Sequence, residues 1–423
     1  MPNDFKAKKG LTLVPIDVTT IPSPEEGDLA VDLSDKVQHY TSSAWAEKKS
    51  IDLSINTLAS VKAGLDFSND SYNGAVPSFN LAAPTKVANP ASLPIGVGRS
   101  SFSPNGEFFA VSDYSASGNR LNIYQRSGVE FVKLADPASV PTGRGTGVSW
   151  SPNGEFLAIG QESSPYINIY QRSGTTFTRL SDPATLPTGN SREVKFSNNG
   201  EFLVVTTQTS PYITIYQRSG TTFTKLSDPA ILPNPQGVSV AWSHDDQFLA
   251  VSHDVAPCVT IYQRSGTTFT KLANPAVLPT SGGTSVDFNH DSSILSAGSV
   301  DYPYIINYQR SGTTFTKLSD PATLPENFPV DIEYTHNGKY VAMAMYTTPY
   351  VAVYKVEGTT FTRLANPAVL PTALAVYTSF SYNNEFLSVT FNASPWFHIY
   401  QTSEELNNDE AVMLIPKLKR AGT

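Results

Sequence analysis

The chain predicts an all-β fold: a seven-bladed β-propeller closed by an N-terminal strand and preceded by a small β-hairpin module. Three observations carry this. A stretch close to Val-Ser-Trp-Ser-Pro-Asn-Gly-Glu-Phe-Leu recurs at Phe102, Trp150, Phe196, Trp242, Phe288, Tyr334 and Phe380, spaced 48 residues once and then 46. Periods of roughly 40 to 50 residues with strand-like content mean a stacked or circular array of small sheets. Each period holds four short strand-like runs. An Asx-Pro-Ala ending recurs at Asn89, Asp136, Asp182, Asp228, Asn274, Asp320 and Asn366, one copy ahead of the other motif.

One unit shows the four runs. Val148-Ser149-Trp150 alternates and meets the turn Ser151-Pro152-Asn153-Gly154, and Phe156-Leu157-Ala158-Ile159 follows. Tyr166 to Tyr170 alternates with β-branched content, and Ser173-Gly174 turns the chain into Thr176 to Leu180, which Asp182-Pro183 ends. Four antiparallel strands joined by tight turns make one propeller blade. No Asx-Pro-Ala follows the last Ile399-Tyr400-Gln401, so the seventh blade lacks a fourth strand, while Thr85-Lys86-Val87 is spare at the other end. Inserting it closes the ring and hides two sheet edges. The ring is expected over 79–402.

Residues 1–78 differ in texture. Asp28 to Asp32 and Val37 to Tyr40 flank a turn at Ser34-Asp35-Lys36, and Ala44-Trp45 follows, which predicts a hairpin. A lone hairpin is marginal in water and has to pack on something else. Between Ser50 and Phe67, Ile51, Leu53 and Ile55 alternate while Leu58, Val61 and Leu65 follow helical spacing, consistent with a connector or a short oligomerising segment. Residues 403–423 run from acidic to apolar to basic and read as a loosely packed tail.

With 423 residues there is room for one large ring and a smaller module. A net charge of -8 argues against nucleic acid or an anionic membrane as partner. The 20 tyrosines and 22 phenylalanines suit packing between sheets. Cys258, the one cysteine, excludes an internal disulfide and reads as a small packed side chain. No apolar run approaches the ~18 residues of a membrane span, and Leu11 to Ile16 is too short for a secretory core, so the chain is expected to be made in the cytosol.

The strand order and closure resemble those of WD-repeat-like propellers over about three quarters of the chain, without the Gly-His and Trp-Asp signatures of true WD repeats. Gly10–Pro15 (GLTLVP) and Pro22–Trp45 (PSPEEGDLAVDLSDKVQHYTSSAW) resemble the N-terminal module of tailed-bacteriophage fibre and other virion appendage proteins, with Tyr40 to Ser43 a mild departure at the final turn. That resemblance implies a virion structural protein, assembled in the host cytoplasm. It implies an N-terminal anchor that joins other virion proteins, often as a homotrimer, and a distal propeller that meets a host-surface glycan or protein. It transfers no individual binding residue.

The seven repeats also compare with one another. The turns between strands one and two and between strands three and four are nearly identical and share a face. The loops after strands two and four open on the other face and differ, which points to that face for binding. The candidates are Arg144, Gln161, Asn190, Arg192, Gln208, His253, Asp254, Tyr302, Asn327 and Tyr346, a mixture suited to stacking on and hydrogen bonding to sugar rings. On the repeated face Arg126, Arg172, Arg218, Arg264 and Arg310 form a partial basic ring, read as continued by Lys355 and broken by Thr402. Ion pairing with Glu107, Glu155, Glu201 and Glu385 of the neighbouring turn is the expectation.

Catalytic constellations are not evident. His244, His290 and His336 occupy equivalent positions, but zinc ligands have to lie within about 4 Å of one another and adjacent blades are expected to hold them about twice as far apart. They read as turn residues, and neither a metal nor a cofactor is expected. Of the first-strand positions Ser101, Ser149, Lys195, Ala241, Asp287, Glu333 and Ser379, the pair Asp287 and Glu333 offers the two carboxylates of a glycosidase. Lys195 nearby favours a solvated channel instead. No sialidase box, nucleophile elbow or phosphate loop is present. A non-enzymatic binding protein is the expectation, with a propeller scaffold or a capsid decoration or joint protein as the alternative and a lactonase- or glycosidase-like propeller enzyme ranked last.

Overall fold

The computed structural model describes residues 84–402, Ala116 excepted, and the backbone of three strands nearer the start. Seven four-stranded antiparallel sheets form the ring. Six blades run 100–133, 145–179, 191–225, 237–271, 283–317 and 329–363. The seventh takes strands Ala375–Phe380, Phe386–Phe391 and Phe397–Gln401 and completes itself with Thr85–Lys86. There Tyr400 pairs with Lys86, Gln401 pairs with Thr85, and Val87 N donates to Ile399 O at 2.9 Å. The predicted closure is present. The described residues from 84 to 402 belong to one compact unit.

The repeated motif explains each blade's first turn. Ser151 Oγ accepts from Phe156 N at 2.8 Å and bonds Asn153 Oδ1 at 2.7 Å. Asn153 Oδ1 also accepts from Glu155 N at 3.1 Å. The short polar side chains thus replace ladder bonds across the turn. Gly154 holds φ at 66°, the left-handed region that glycine enters without steric cost.

The core lies between blades. Phe108 and Ala110 of blade 1 pack with Val148, Trp150, Tyr170 and Phe177 of blade 2. The Phe108 ring stacks on Trp150 at 6.0 Å and meets Phe177 edge-on at 5.9 Å, geometries that favour aromatic pairs. The third strand of every blade carries a fully buried tyrosine: Tyr124, Tyr170, Tyr216, Tyr262, Tyr308, Tyr354 and Tyr400. In four of them the hydroxyl donates at 2.9 Å to a carbonyl in the loop preceding that blade, as Tyr216 does to Thr185 O. This ties a strand to the previous blade's exit.

The fourth strands form the outer rim. Lys133, Lys225 and Lys317 reach Asp136, Asp228 and Asp320 at 2.7, 2.5 and 2.5 Å. Charged residues at an exposed strand edge oppose edge-to-edge pairing, which gives the Asx-Pro-Ala endings a purpose. The N-terminal hairpin is present as Leu29–Val31 and Val37–Tyr40, with Trp45–Glu47 adding a third antiparallel strand. The expected connector over Ser50 to Phe67 and the tail 403–423 lie outside the described residues.

Candidate functional site

Two places gather chemistry: the axial channel, and the face of differing loops above it. In the channel, the first strand of each blade presents two tiers of side chains, because residues i and i+2 of a strand face the same way. One tier comprises the first-strand positions noted from sequence. The other lies two residues earlier: Arg99, Gly147, Glu193, Ser239, Ser285, Asp331 and Tyr377. Repeat comparison had passed over this second tier, although period-2 alternation marks it.

These side chains satisfy the inner strand of the next blade, whose channel-facing N–H groups have no ladder partner. Ser149 Oγ accepts from Phe196 N at 3.1 Å, Glu193 Oε2 from Val240 N at 2.9 Å, and Ser285 Oγ from Ile332 N at 3.1 Å. Asp287 Oδ2 accepts from Tyr334 N at 2.8 Å and Asp331 Oδ2 from Thr378 N at 2.9 Å, each across 47 residues. Glu333 takes a backbone bond from Phe380 in the same way. Such bonds to charged groups contribute about 1.5–3 kcal/mol each. Asp287 and Glu333 are therefore inter-blade latches, a correction to the reading of a merely solvated channel.

The charges are also coupled. Arg99 Nη1 lies 3.2 Å from Glu193 Oε1, its guanidinium sits 4.9 Å from the Tyr377 ring centroid, and the Tyr377 hydroxyl donates to Glu193 Oε1 at 3.1 Å. Burial disfavours the Lys195 ammonium, but Glu333, Asp287, Glu193 and Asp331 outweigh it and raise its pKa. Four carboxylates against two cations leave an acidic excess. Burial, with Glu193 as a like charge, pushes Asp331 up to about 7. Burial lifts Asp287 to about 6 against the pull of Lys195, and raises Glu333 well above the usual range.

On the varied face the candidates separate by one residue. The position that opens each loop after strand two is buried: Asp113, Gln161, Thr207, His253, Ser299, Met345 and Phe391. Gln161 accepts from Gly143 N at 3.1 Å and donates to Ser163 O at 2.9 Å, closing two loops on each other. His253 Nδ1 lies 2.7 Å from Val255 O and Nε2 3.0 Å from Thr260 Oγ1. Burial lowers the His253 pKa, so the ring stays neutral. Gln161 and His253 are thus buried and bonded within their own loops, unlike the outward-facing side chains expected of that face. They differ between blades because each loop is closed by its own hydrogen bonds.

The next position points outward and includes Tyr114, Glu162, Gln208, Asp254 and Tyr346. A cavity of about 260 Å³ opens among blades 7, 1, 2 and 3 at the channel mouth, lined by Arg99, Tyr114, Thr146, Glu162, Arg192 and Gln208 among others. Arg192 Nε and Nη2 both donate to the Gln208 amide oxygen at 2.9 Å. The Arg144 guanidinium lies over the Tyr114 ring at 5.2 Å and its Nη1 is 3.8 Å from Glu162 Oε2, while the Tyr114 hydroxyl donates to Glu162. Thr146 and Ser191 hydroxyls meet at 2.7 Å. Arg192 and Gln208 thus share one cavity with Tyr114, Glu162 and Arg99, which the repeat comparison did not single out, and Arg144 borders it through Tyr114 and Glu162.

The others lie elsewhere on this face. Asn190 contributes its carbonyl to Gln208 N at 3.1 Å, and the Asp254 carbonyl accepts from Gly282 N at 3.2 Å. Tyr302 is 73% exposed and meets Tyr304 edge-on at 5.9 Å. Tyr346 stacks on Phe328 at 4.7 Å, and Asn327 Oδ1 accepts from Phe328 N at 2.9 Å. Asn190 belongs to blade 3 and stands beside the cavity through Gln208, whereas Asp254, Tyr302, Asn327 and Tyr346 belong to blades 4 to 6 and do not line it.

On the repeated face three expectations change. The His244 and His290 rings lie 4.0 Å apart, not twice the distance that binds a metal, because each turn's side chain reaches onto the next blade's turn. Their planes are tilted by 47°, and His336 stacks instead on Tyr382 at 4.4 Å. Among the described residues no group of three or more His, Cys, Asp or Glu is arranged to hold a metal ion. The arginine ring is held mainly by stacking: Arg126, Arg172, Arg218, Arg264 and Arg310 lie 4.6–5.1 Å from the centroids of Phe386, Phe108, Phe156, Phe202 and Phe248 of the preceding blade. Of these five arginines, among the described residues only Arg126 and Arg310 pair with an acid of another blade, Glu385 and Asp245, while Glu155 is engaged by Gln171 and Asn153. Strand register puts Val356, not Lys355, at the arginine position, since Val356 pairs with Phe361 as Arg310 pairs with Phe315.

Neither a protein family nor a curated protein matches the sequence. Solved structures share the fold. A chain of hydrazine synthase from Kuenenia stuttgartiensis superposes with a TM-score of 0.59 at 13% identity, covering 75% of this chain and 98% of that one. A chain of a mitotic checkpoint complex gives 0.58 at 14%, covering 78% and 99%. The Cps50 (Swd1) β-propeller domain of Myceliophteria thermophila gives 0.56 at 9%, covering 75% and 99%. At such identities the likeness concerns architecture alone, and these neighbours include an enzyme. The chain is a seven-bladed β-propeller with WD-like structural neighbours.

Proposed function

We propose that this chain is a non-enzymatic binding propeller and serves as a virion appendage protein. Its N-terminal module joins other virion proteins, in trimers, and its varied face receives a host-surface glycan. The observation that carries the binding reading is the cavity at the channel mouth. Arg192, Gln208, Tyr114 and the Thr146 and Ser191 hydroxyls present donors and an aromatic face to a space of about 260 Å³, near the lower end of small-molecule sites and on the scale of one sugar ring. The carboxylates that an enzyme would need are engaged in latches between blades. The virion role rests on the resemblance of residues 10–45 to appendage anchors.

A protein ligand is the second reading, favoured by the exposed Phe328–Tyr346 stack on the same face. The test is binding of the fluorescent full-length protein to a panel of bacterial cells and their extracted polysaccharides, beside Arg192→Ala/Gln208→Ala and Tyr346→Ala. Selective saturable binding lost in the double variant supports the cavity reading. Loss only in Tyr346→Ala moves the site to blade 6. Binding by none of the cells, with the ring folded, overturns host attachment in favour of a structural joint.

A further inference from the structure

The repeats disagree at one inter-blade junction in a way that leaves a defined cation site. At five junctions an arginine from one blade lies over a phenylalanine of the blade before it. At three of them, through Arg172, Arg218 and Arg264, two carbonyls in the adjoining turns take its donors. Arg172 Nε and Nη1 reach Gly154 O and Gly174 O at 2.8 and 3.1 Å, and Arg218 reaches Gly200 O and Gly220 O at the same distances. At the junction of blades 4 and 5, Arg310 lies 4.7 Å from the Phe248 centroid and pairs with Asp245 at 2.9 Å.

One step on, between blades 5 and 6, both partners change together. Val356 stands at the arginine position and Ile294 at the phenylalanine position. The acceptors remain: Asp291 occupies the place of Asp245, and Gly338 and Gly358 occupy the places of Gly200 and Gly220. A cavity of about 210 Å³ opens there, lined by Asp291, Ser293, Ile294, Gly338, Val356 and Gly358. Among the described residues no basic side chain pairs with Asp291. Burial pushes its carboxyl upward, but hydrogen bonds from Ser293 and Asn289 hold it below the usual range, so it is ionised at neutral pH.

We propose that this cavity is a guanidinium-binding site that receives an arginine side chain from a protein partner on the repeated face. The donor pattern combines the carbonyl pair that Arg172 and Arg218 use with the carboxylate that Arg310 uses. One edge of the guanidinium meets the Gly338 and Gly358 carbonyls, the far nitrogen meets the Asp291 carboxylate, and the planar face rests on Ile294. A planar fork of N–H groups matches this set, and an ammonium does not, because its point charge cannot span three separated acceptors. The site is on the face opposite the varied loops, so it would join the propeller to a protein neighbour independently of any glycan bound there.

The experiment titrates the full-length protein with Nα-acetyl-arginine N-methylamide, and with the citrulline and lysine counterparts, by ligand-observed NMR. Saturable binding of the arginine amide alone is expected. Val356→Arg fills the cavity from within, and Asp291→Asn removes the charge-assisted pair. Each is expected to weaken binding roughly tenfold or more, the loss of one such bond. A Val356→Arg chain that fails to fold leaves the Asp291→Asn titration to decide. Equal binding of the citrulline amide, no binding of the arginine amide, or unchanged affinity in Asp291→Asn overturns the assignment.

Discussion

Replacing Asp331 by asparagine separates what this carboxylate gives the ring as an acceptor from what its charge costs. Asp331 is 3% exposed and accepts from Thr378 N at 2.9 Å, Thr378 Oγ1 at 3.0 Å and Ser285 Oγ at 3.1 Å. Asparagine keeps an oxygen for Thr378, and its amide donates to Ser285 Oγ once that hydroxyl turns. The charge, by contrast, sits in a buried site beside Glu193. A carboxyl whose folded pKa is about 7, against 3.8 in the unfolded chain, binds more protons when folded. Its stabilising contribution is full below about pH 4 and is lost as pH rises through 7. Integrated from pH 5 to 8, that loss is on the order of 3 kcal/mol. Asparagine does not titrate, so Asp331→Asn gains on the native chain by that amount over the interval. The readout is the difference between the two chains in urea unfolding at pH 5, 6, 7 and 8. Buried His336 and His398, with pKa lowered to about 3 and about 4, weaken both chains equally as pH falls below 6.5, and their effect cancels in the difference. Parallel curves would refute the reasoning, because they would mean that Asp331 ionises as an ordinary surface carboxyl does.

The buried tyrosines supply an internal comparison. Tyr216 donates to Thr185 O, whereas the Tyr354 hydroxyl is buried without a partner among the described residues. Tyr216→Phe is expected to cost about 1 kcal/mol in denaturant unfolding and Tyr354→Phe nothing or a small gain, and equal costs would contradict the assignment. Gln161→Ala, which leaves Gly143 N without its acceptor, is expected to lower stability by about 1–3 kcal/mol while ligand binding by the folded protein is unchanged. Reduced affinity at full stability would return Gln161 to the binding face.

The chain's own repetition determined the ring. A strand's side chains alternate and a tight turn needs particular residues, so Ser151 to Gly154 and their six counterparts announce turns wherever they stand. The offset between the two repeated motifs sufficed to place Thr85 and Lys86 in the seventh blade, because an unpaired sheet edge is costly in any arrangement. The tertiary structure decided which varying residues face outward. Gln161 and Glu162 are adjacent and equally variable, yet one closes loops in the interior and the other reaches the cavity, since the loop leaves the strand with its first side chain turned inward. It also decided the channel. Glu193, Asp331 and Arg99 interact only because the ring brings first strands of separate blades onto one axis. Charges far apart in sequence there share a low-dielectric space, which fixes their protonation and makes latches of residues that resembled catalytic carboxylates.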